Sequence, residues 1–179
     1  HMLFNGTENF PEQALIDFFE SVGMTFGPDI NAYTSFDETV YMLRFPMDDP
    51  EAVDAAFAVL VDWAANASID PAEVDAERGI GLAEERLRDQ NANGRINKQA
   101  LPFLLGNSRY AARMPIGQVE IIRGAPPEAV RRFYTDWYRP DLMAVIAVGD
   151  FDADQFETRI QEQFSGLRNP EQPRERIVY

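Results

Sequence analysis

The chain has 179 residues, 45% of them apolar and 12% aromatic, so it can bury one sizeable core and is not a disordered tail. With 30 acidic residues against 16 basic ones the net charge is −14, which repels phosphate backbones and anionic membranes and argues against nucleic-acid binding. With no cysteine, disulfides, iron–sulfur clusters, thiolate zinc sites and Cys nucleophiles are excluded, and no apolar run reaches the roughly 18 residues of a membrane span.

Phe10-Pro11-Glu12-Gln13 opens a predicted helix with Leu15, Phe18, Phe19 and Val22 at helical spacing and Gly23 as its stop. Residues 27–36 pass from turn formers to β-favouring types, and residues 39–45 alternate as a strand before Pro46, so the two segments form a strand pair. Asp48-Asp49-Pro50-Glu51 begins a long helix whose predicted buried stripe is Val53, Phe57, Leu60, Val61 and Ala64. Asp70-Pro71-Ala72-Glu73 combines an N-cap acid, a first-turn Pro and a Glu at the third helical position. The helix it opens runs to about Asp89 and ends at Asn91-Ala92-Asn93-Gly94.

Residues 95–105 read as a further helix, and a loop holding Tyr110 and Pro115 follows. Residues 126–138 form a helix that Arg139-Pro140 ends. The near-continuous apolar run 143–149 has the pattern of a strand buried on both faces. Residues 152–164 give a last amphipathic helix. Trp63, Trp137 and the Phe residues at helical spacing read as core.

These elements predict an α+β fold, with helices packed on one face of a mixed, mostly antiparallel sheet. The sheet is short of strands for so many helices, as expected if its first strands lie upstream of His1. Residues 1–167 are expected to form one domain, and residues 168–179, rich in Pro, Arg and Glu, a linker or domain exit.

Chemistry concentrates on the helix after Asp70. Glu77 and Glu84 stand two helical turns apart, so both carboxylates project from one face, with Glu73 in line and Glu85 rotated away. Gly79 and Gly81 each cost about 1 kcal/mol relative to Ala inside a helix, which implies close approach of another element. A Glu-rich helix face by itself is most often only a solvated face. His1 is the sole imidazole of the chain. A leading His-Met pair is read either as a native ligand position or as residues carried over from an expression vector. With one His and no Cys the chain cannot complete a three-ligand zinc site unaided.

His1-Met2-Leu3-Phe4-Asn5-Gly6-Thr7 resembles the second half of the signature H-x-x-E-H-M-x-F-N-G-T of the M16 zinc metallopeptidases, the pitrilysin, insulinase and processing-peptidase family. Asn31-Ala32-Tyr33-Thr34 with Thr39-Val40-Tyr41 is similar to the family's N-A-x-T-x-x-x-x-T-x-Y strand pair. Glu77-Arg78 followed by Glu84 resembles its E-R-x-x-x-x-x-E helix. Tyr134 to Asp150 resembles its F-x-x-x-Y-x-P-x-x-M-x-x-x-x-x-G-D element. The similarity runs in order from His1 to about Leu167, and is nearest in character to the bacterial M16B, PqqL-like branch.

The resemblance implies that this is part of the catalytic domain of a zinc-dependent endopeptidase. His1 and Glu84 would be zinc ligands, and Glu77 the supporting carboxylate. The first His and the catalytic Glu of the motif would lie before residue 1, so the chain alone is expected to be inactive. Asn31, Ala32 and Tyr33 would lie on an edge strand that pairs with an extended peptide or unfolded protein substrate. A C-terminal M16 half or a partner subunit would close the site, and a periplasmic or exported protein is implied. The open sheet edge would also favour self-association. The alternative is a non-catalytic M16 homologue acting as a peptide-binding or partner subunit. Retention of both Glu77 and Glu84 favours the enzyme.

Overall fold

The computed structural model describes residues 1–11 and 14–177. Side-chain caps written in the sequence start its longest helices. Helix α1 (Ala14–Ser21) is followed by Gly23, whose φ of +75° lets the chain turn back as Met24 N–H bonds Phe19 O. Glu12 and Gln13, at the predicted start of this helix, lie outside the described residues. Strands β1 (Ile30–Thr34) and β2 (Thr39–Leu43) pair antiparallel, with Ile30 opposite Leu43 and Ala32 opposite Tyr41. Ile30, Ala32, Tyr41 and Leu43 therefore share the face turned toward the core, while Asn31 and Tyr33 point to solvent.

Helix α2 (Pro50–Ala65) starts on Asp49, whose carboxylate accepts from the Glu51 and Ala52 amides. Helix α3 (Pro71–Gln90) starts likewise on Asp70, with Pro71 in its first turn. Asn91 ends α3 and at once caps α4 (Ala92–Leu105), so the predicted break at 91–94 is a single-residue joint and α4 begins three residues earlier than expected. The predicted loop beyond it contains two short helices, α5 (Arg109–Ala112) and α6 (Val119–Gly124), too brief to show periodicity. Helices α7 (Pro127–Trp137) and α8 (Ala153–Phe164) complete the chain.

The core gathers Leu3, Leu15, Phe19, Met24, Ile30, Val59 and Trp63, joining the N-terminal segment, α1, β1 and α2. Helix α2 is covered on two sides, which shifts its buried stripe from the predicted one. Val53 and Phe57 are buried as expected, together with Ala52, Ala56, Val59 and Trp63, whereas Leu60, Val61 and Ala64 are only half-buried. Phe57 meets Phe156 of α8 at 5.3 Å between ring centroids. Helix α7 is tied down by tyrosine hydroxyls. Tyr138 meets the Tyr41 hydroxyl at 2.6 Å, and Tyr134 accepts from Ala67 N–H while donating to Trp63 O at 3.0 Å. Burial pushes the Tyr41, Tyr134 and Tyr138 hydroxyls up from the ordinary phenol range, Tyr134 to about 12.

The α+β arrangement holds: mostly helices, with a small open sheet. One predicted strand does not form. Residues 143–149 have no regular secondary structure and no strand partner among the described residues, with Ile146 83% and Val148 93% exposed. A strand buried on both faces needs neighbours on both sides, and among the described residues none lies beside it. The aromatic core is also smaller than predicted. Trp137 is half-buried, and Phe103 and Phe133 are exposed because the outer sides of α4 and α7 are uncovered.

Candidate functional site

The site lies where the N-terminal turn meets α3. Residues Met2–Phe4 form one 3-10 turn, closed by Phe4 N–H on His1 O at 2.8 Å. Leu3 is buried below it, and the Phe4 ring stands edge-on to Trp63 at 5.3 Å. Past Gly6, whose φ of +126° suits glycine, Thr7 is buried and donates to Asp62 Oδ2 at 2.6 Å. Asp62 is fully buried in α2. It also accepts from the Asn9 backbone amide and from the Asn9 and Asn66 side chains. Three of these four donors come from the loop and clamp it to α2, and the clamp sets His1 over α3.

There His1 meets both predicted carboxylates. Its Nδ1 lies 2.8 Å from Glu77 Oε2 and its Nε2 3.8 Å from Glu84 Oε2. An ionised carboxylate only accepts, so Nδ1 is the donor in the contact with Glu77, while Nε2, at 3.8 Å from Glu84 Oε2, is beyond hydrogen-bond distance of it. Each glutamate has its second oxygen held from elsewhere. Asn5 Nδ2 donates to Glu77 Oε1 at 2.9 Å, and Arg88 Nη2 donates to Glu84 Oε1 at 2.8 Å. The Glu77 side chain is 16% exposed against 40% for Glu84 and 55% for His1, so Glu77 sits behind the imidazole and the other two face outward.

The rest of the α3 face divides. Glu73 stays with the site, 3.4 Å from Asn5 Nδ2. Glu85 is turned away as expected, but it is buried rather than solvated and pairs with Lys98 of α4 at 2.7 Å. The hydrogen bonds that Lys98 donates to Asp89 and Glu85 raise its ammonium above the ordinary range. The close approach expected at the glycines is absent at Gly79, which has open space. At Gly81 it is an ordinary contact, since an added Cβ would lie 3.7 Å from Ile122 of α6. What holds α6 there is Arg78, whose guanidinium donates to Ile122 O at 2.7 Å and to Ala125 O.

Asn31, Ala32 and Tyr33 stand on β1, and among the described residues no hydrogen bond or ion pair joins them to His1, Glu77 or Glu84. Tyr33 donates to Glu38, and Asn31 Oδ1 takes the Ala32 N–H at 2.8 Å. Among the described residues no group of three or more His, Cys, Asp or Glu could hold a metal ion. No helix among them is long and apolar enough to cross a membrane.

Asn5 and Asp62 carry the site and were not read from sequence as functional. Asp62 had a signal: a lone acid at a core-facing position of an apolar helix. Asn5 had none beyond its place in the motif.

Comparison with known proteins bears on this geometry. Residues 1–107 match the family model Insulinase (Peptidase family M16), and residues 125–178 match the Peptidase M16 inactive domain. The probable zinc protease PqqL of Escherichia coli is 40% identical over 167 residues, which is 93% of this chain and 18% of that protein. The zinc protease PQQL-like of Arabidopsis thaliana is 34% identical over 97% of this chain, again 18% of the relative. The crystal structure of the first half of the periplasmic protease PqqL from Escherichia coli superposes with a TM-score of 0.91 and 38% identity. It covers 99% of this chain and 38% of that one. The chain thus spans less than a fifth of the length of these full-length relatives. With more than half of its residues inside the family model, and the paired glutamates and His1 gathered at one place, the chain belongs to the M16 peptidase family, in its PqqL-like branch.

Proposed function

We propose that the chain supplies part of the catalytic domain of a zinc-dependent endopeptidase, in which His1 and Glu84 are metal ligands and Glu77 is the supporting carboxylate. The observation that carries this reading is the convergence of His1 Nε2 and Glu84 Oε2 at 3.8 Å, with Nδ1 already engaged by Glu77. An imidazole nitrogen beside a carboxylate oxygen is a donor pair suited to zinc, so these residues fit as part of a site. When bound, zinc polarises a water and the scissile carbonyl.

The chain's own residues have definite tasks in this scheme. Glu77 fixes the imidazole tautomer and orientation, and Arg88 steadies Glu84. The free edge of β1 at Asn31, Ala32 and Tyr33 offers main-chain pairing to an extended peptide, for which Asn31 Oδ1 would release the Ala32 N–H. The first His and the general base would come from polypeptide preceding His1, and a C-terminal half or a partner subunit would close over the substrate. Residues 1–167 then form the domain body and 168–179 its exit. Since one relative is described as periplasmic, the same compartment is proposed here.

The test uses the whole gene product beside the 179-residue chain. Peptide hydrolysis by the whole protein that chelator abolishes and zinc restores, lost in Glu84→Gln, is the expected result, with no turnover by the chain alone. Hydrolysis by the whole protein that is indifferent to chelator or to Glu84→Gln would overturn the reading.

A further inference from the structure

Asn5 bridges two of the α3 carboxylates without being one of them. Its Nδ2 carries two hydrogens, and both point at acids: Glu77 Oε1 at 2.9 Å and Glu73 Oε2 at 3.4 Å. Glu73 and Glu77 are i,i+4 neighbours of like charge on one helix, an arrangement that repels. A neutral donor placed between them offsets that repulsion and occupies one oxygen of each. With Oε1 taken, Glu77 is left with Oε2 for His1 Nδ1, 2.8 Å away.

Asn5 is part of the same anchored segment as His1. Leu3, buried below, and the Thr7–Asp62 bond fix the backbone on either side of Asn5, so its amide is delivered by a rigid loop. We propose that Asn5 is a positioning residue for the candidate metal site: by holding Glu77 Oε1 it sets Glu77 to fix His1 in the Nδ1–H tautomer, with Nε2 presented toward Glu84. This inference rests on the reading of His1 as a ligand. It assigns Asn5 the task of selecting which imidazole nitrogen faces the metal. Glu73 is the second anchor of the same amide and needs no contact with the metal.

His1 is the only imidazole in the chain, so its tautomer is read without assignment from long-range 15N–1H correlation spectra of the 179-residue protein. All variants are measured in the same mildly alkaline buffer. The indole N–H resonance of Trp63, whose ring packs against those of Phe4, Phe19 and Tyr41, reports in the same samples whether the N-terminal turn stays packed. Wild type is expected to show mainly Nδ1–H. In Asn5→Ala the tautomer ratio should fall about fivefold, the change expected from losing one ordinary hydrogen bond, with the Trp63 resonance unmoved. Glu73→Gln should leave the ratio nearly unchanged.

If Asn5→Ala fails to fold, Asn5→Ser keeps a small polar residue in the loop without the two-pronged amide, and the same fall is expected. Wild-type-like tautomer ratios in the folded Asn5 variant would overturn the inference while leaving the ligand reading intact. So would a fall accompanied by displacement of Trp63, since that describes a structural role. A wild-type imidazole in the Nε2–H form would instead overturn the ligand reading itself.

Discussion

Thr7 Oγ1 lies 2.6 Å from Asp62 Oδ2, joining the N-terminal loop to the middle of α2 across 55 positions of sequence. The Asp62 carboxylate is out of reach of solvent and takes three further hydrogen bonds from Asn9 and Asn66. Asp62→Ala would leave the buried Thr7 hydroxyl and the half-buried Asn66 amide without their acceptor, at about 1–3 kcal/mol for each one that finds no substitute, whereas the exposed Asn9 can turn to water. A loss of about 3 kcal/mol or more in denaturant unfolding is expected. Asn9→Ala, which removes one donor at the rim of the network, should cost nearer 1 kcal/mol.

The role proposed for Glu77 makes a quantitative claim about the whole protein. A group that orients a metal-binding imidazole typically contributes about 10–100-fold in metal affinity. Glu77→Gln should therefore weaken zinc binding by that range in competition with a chromophoric chelator. Glu84→Gln should weaken it more. Equal affinities in wild type and Glu77→Gln would remove Glu77 from the site.

Alkaline pH should unfold the chain through its tyrosines. Burial raises the Tyr41, Tyr134 and Tyr138 hydroxyls in the folded state, Tyr134 to about 12, while the unfolded chain ionises near the ordinary value of about 10. The stabilisation from these groups is complete below about pH 10. It is lost as pH rises toward the folded values, because only the unfolded state then releases protons. Urea midpoints should hold level from pH 7 to about 9.5 and fall above about 10. Tyr134→Phe should lessen the slope of that fall.

The unpaired run 143–149 predicts self-association. Ile146 and Val148 are exposed, at 83% and 93%, on a β-favouring run that has no strand beside it among the described residues. Such an edge pairs with whatever extended chain it meets. Light scattering at micromolar concentration should show oligomers, and Ile146→Lys with Val148→Lys should return the chain to monomer. A monomeric wild type would show that this edge is inert.

Much of this could be read from sequence because local chemistry determines it. Asp49 and Asp70 are caps by residue type and by the Pro that follows each, and the helices they start lie where expected. The alternation in residues 39–43 survives as β2, and the two-turn spacing of Glu77 and Glu84 puts both beside His1. What was misread depends on partners distant in sequence. Residues 143–149 have the composition of a central strand, but composition cannot supply the neighbouring strands. The buried stripe of α2 moved toward Val59 and Trp63 because two elements cover the helix, a fact of packing rather than period. Asn5 resembled any loop Asn until the fold brought Glu73 and Glu77 within its reach.

The exposed apolar edge sits on a molecule carrying a net charge of −14, and the two features pull in opposite directions. Repulsion between copies acts at long range but shrinks as the Debye length falls from about 30 Å at 0.01 M salt to about 8 Å at 0.15 M. Contact between edges acts only at short range and is far less sensitive to ions. Ionic strength therefore acts as a dial on colloidal state: dilute buffer keeps the copies dispersed, and physiological salt lets them meet.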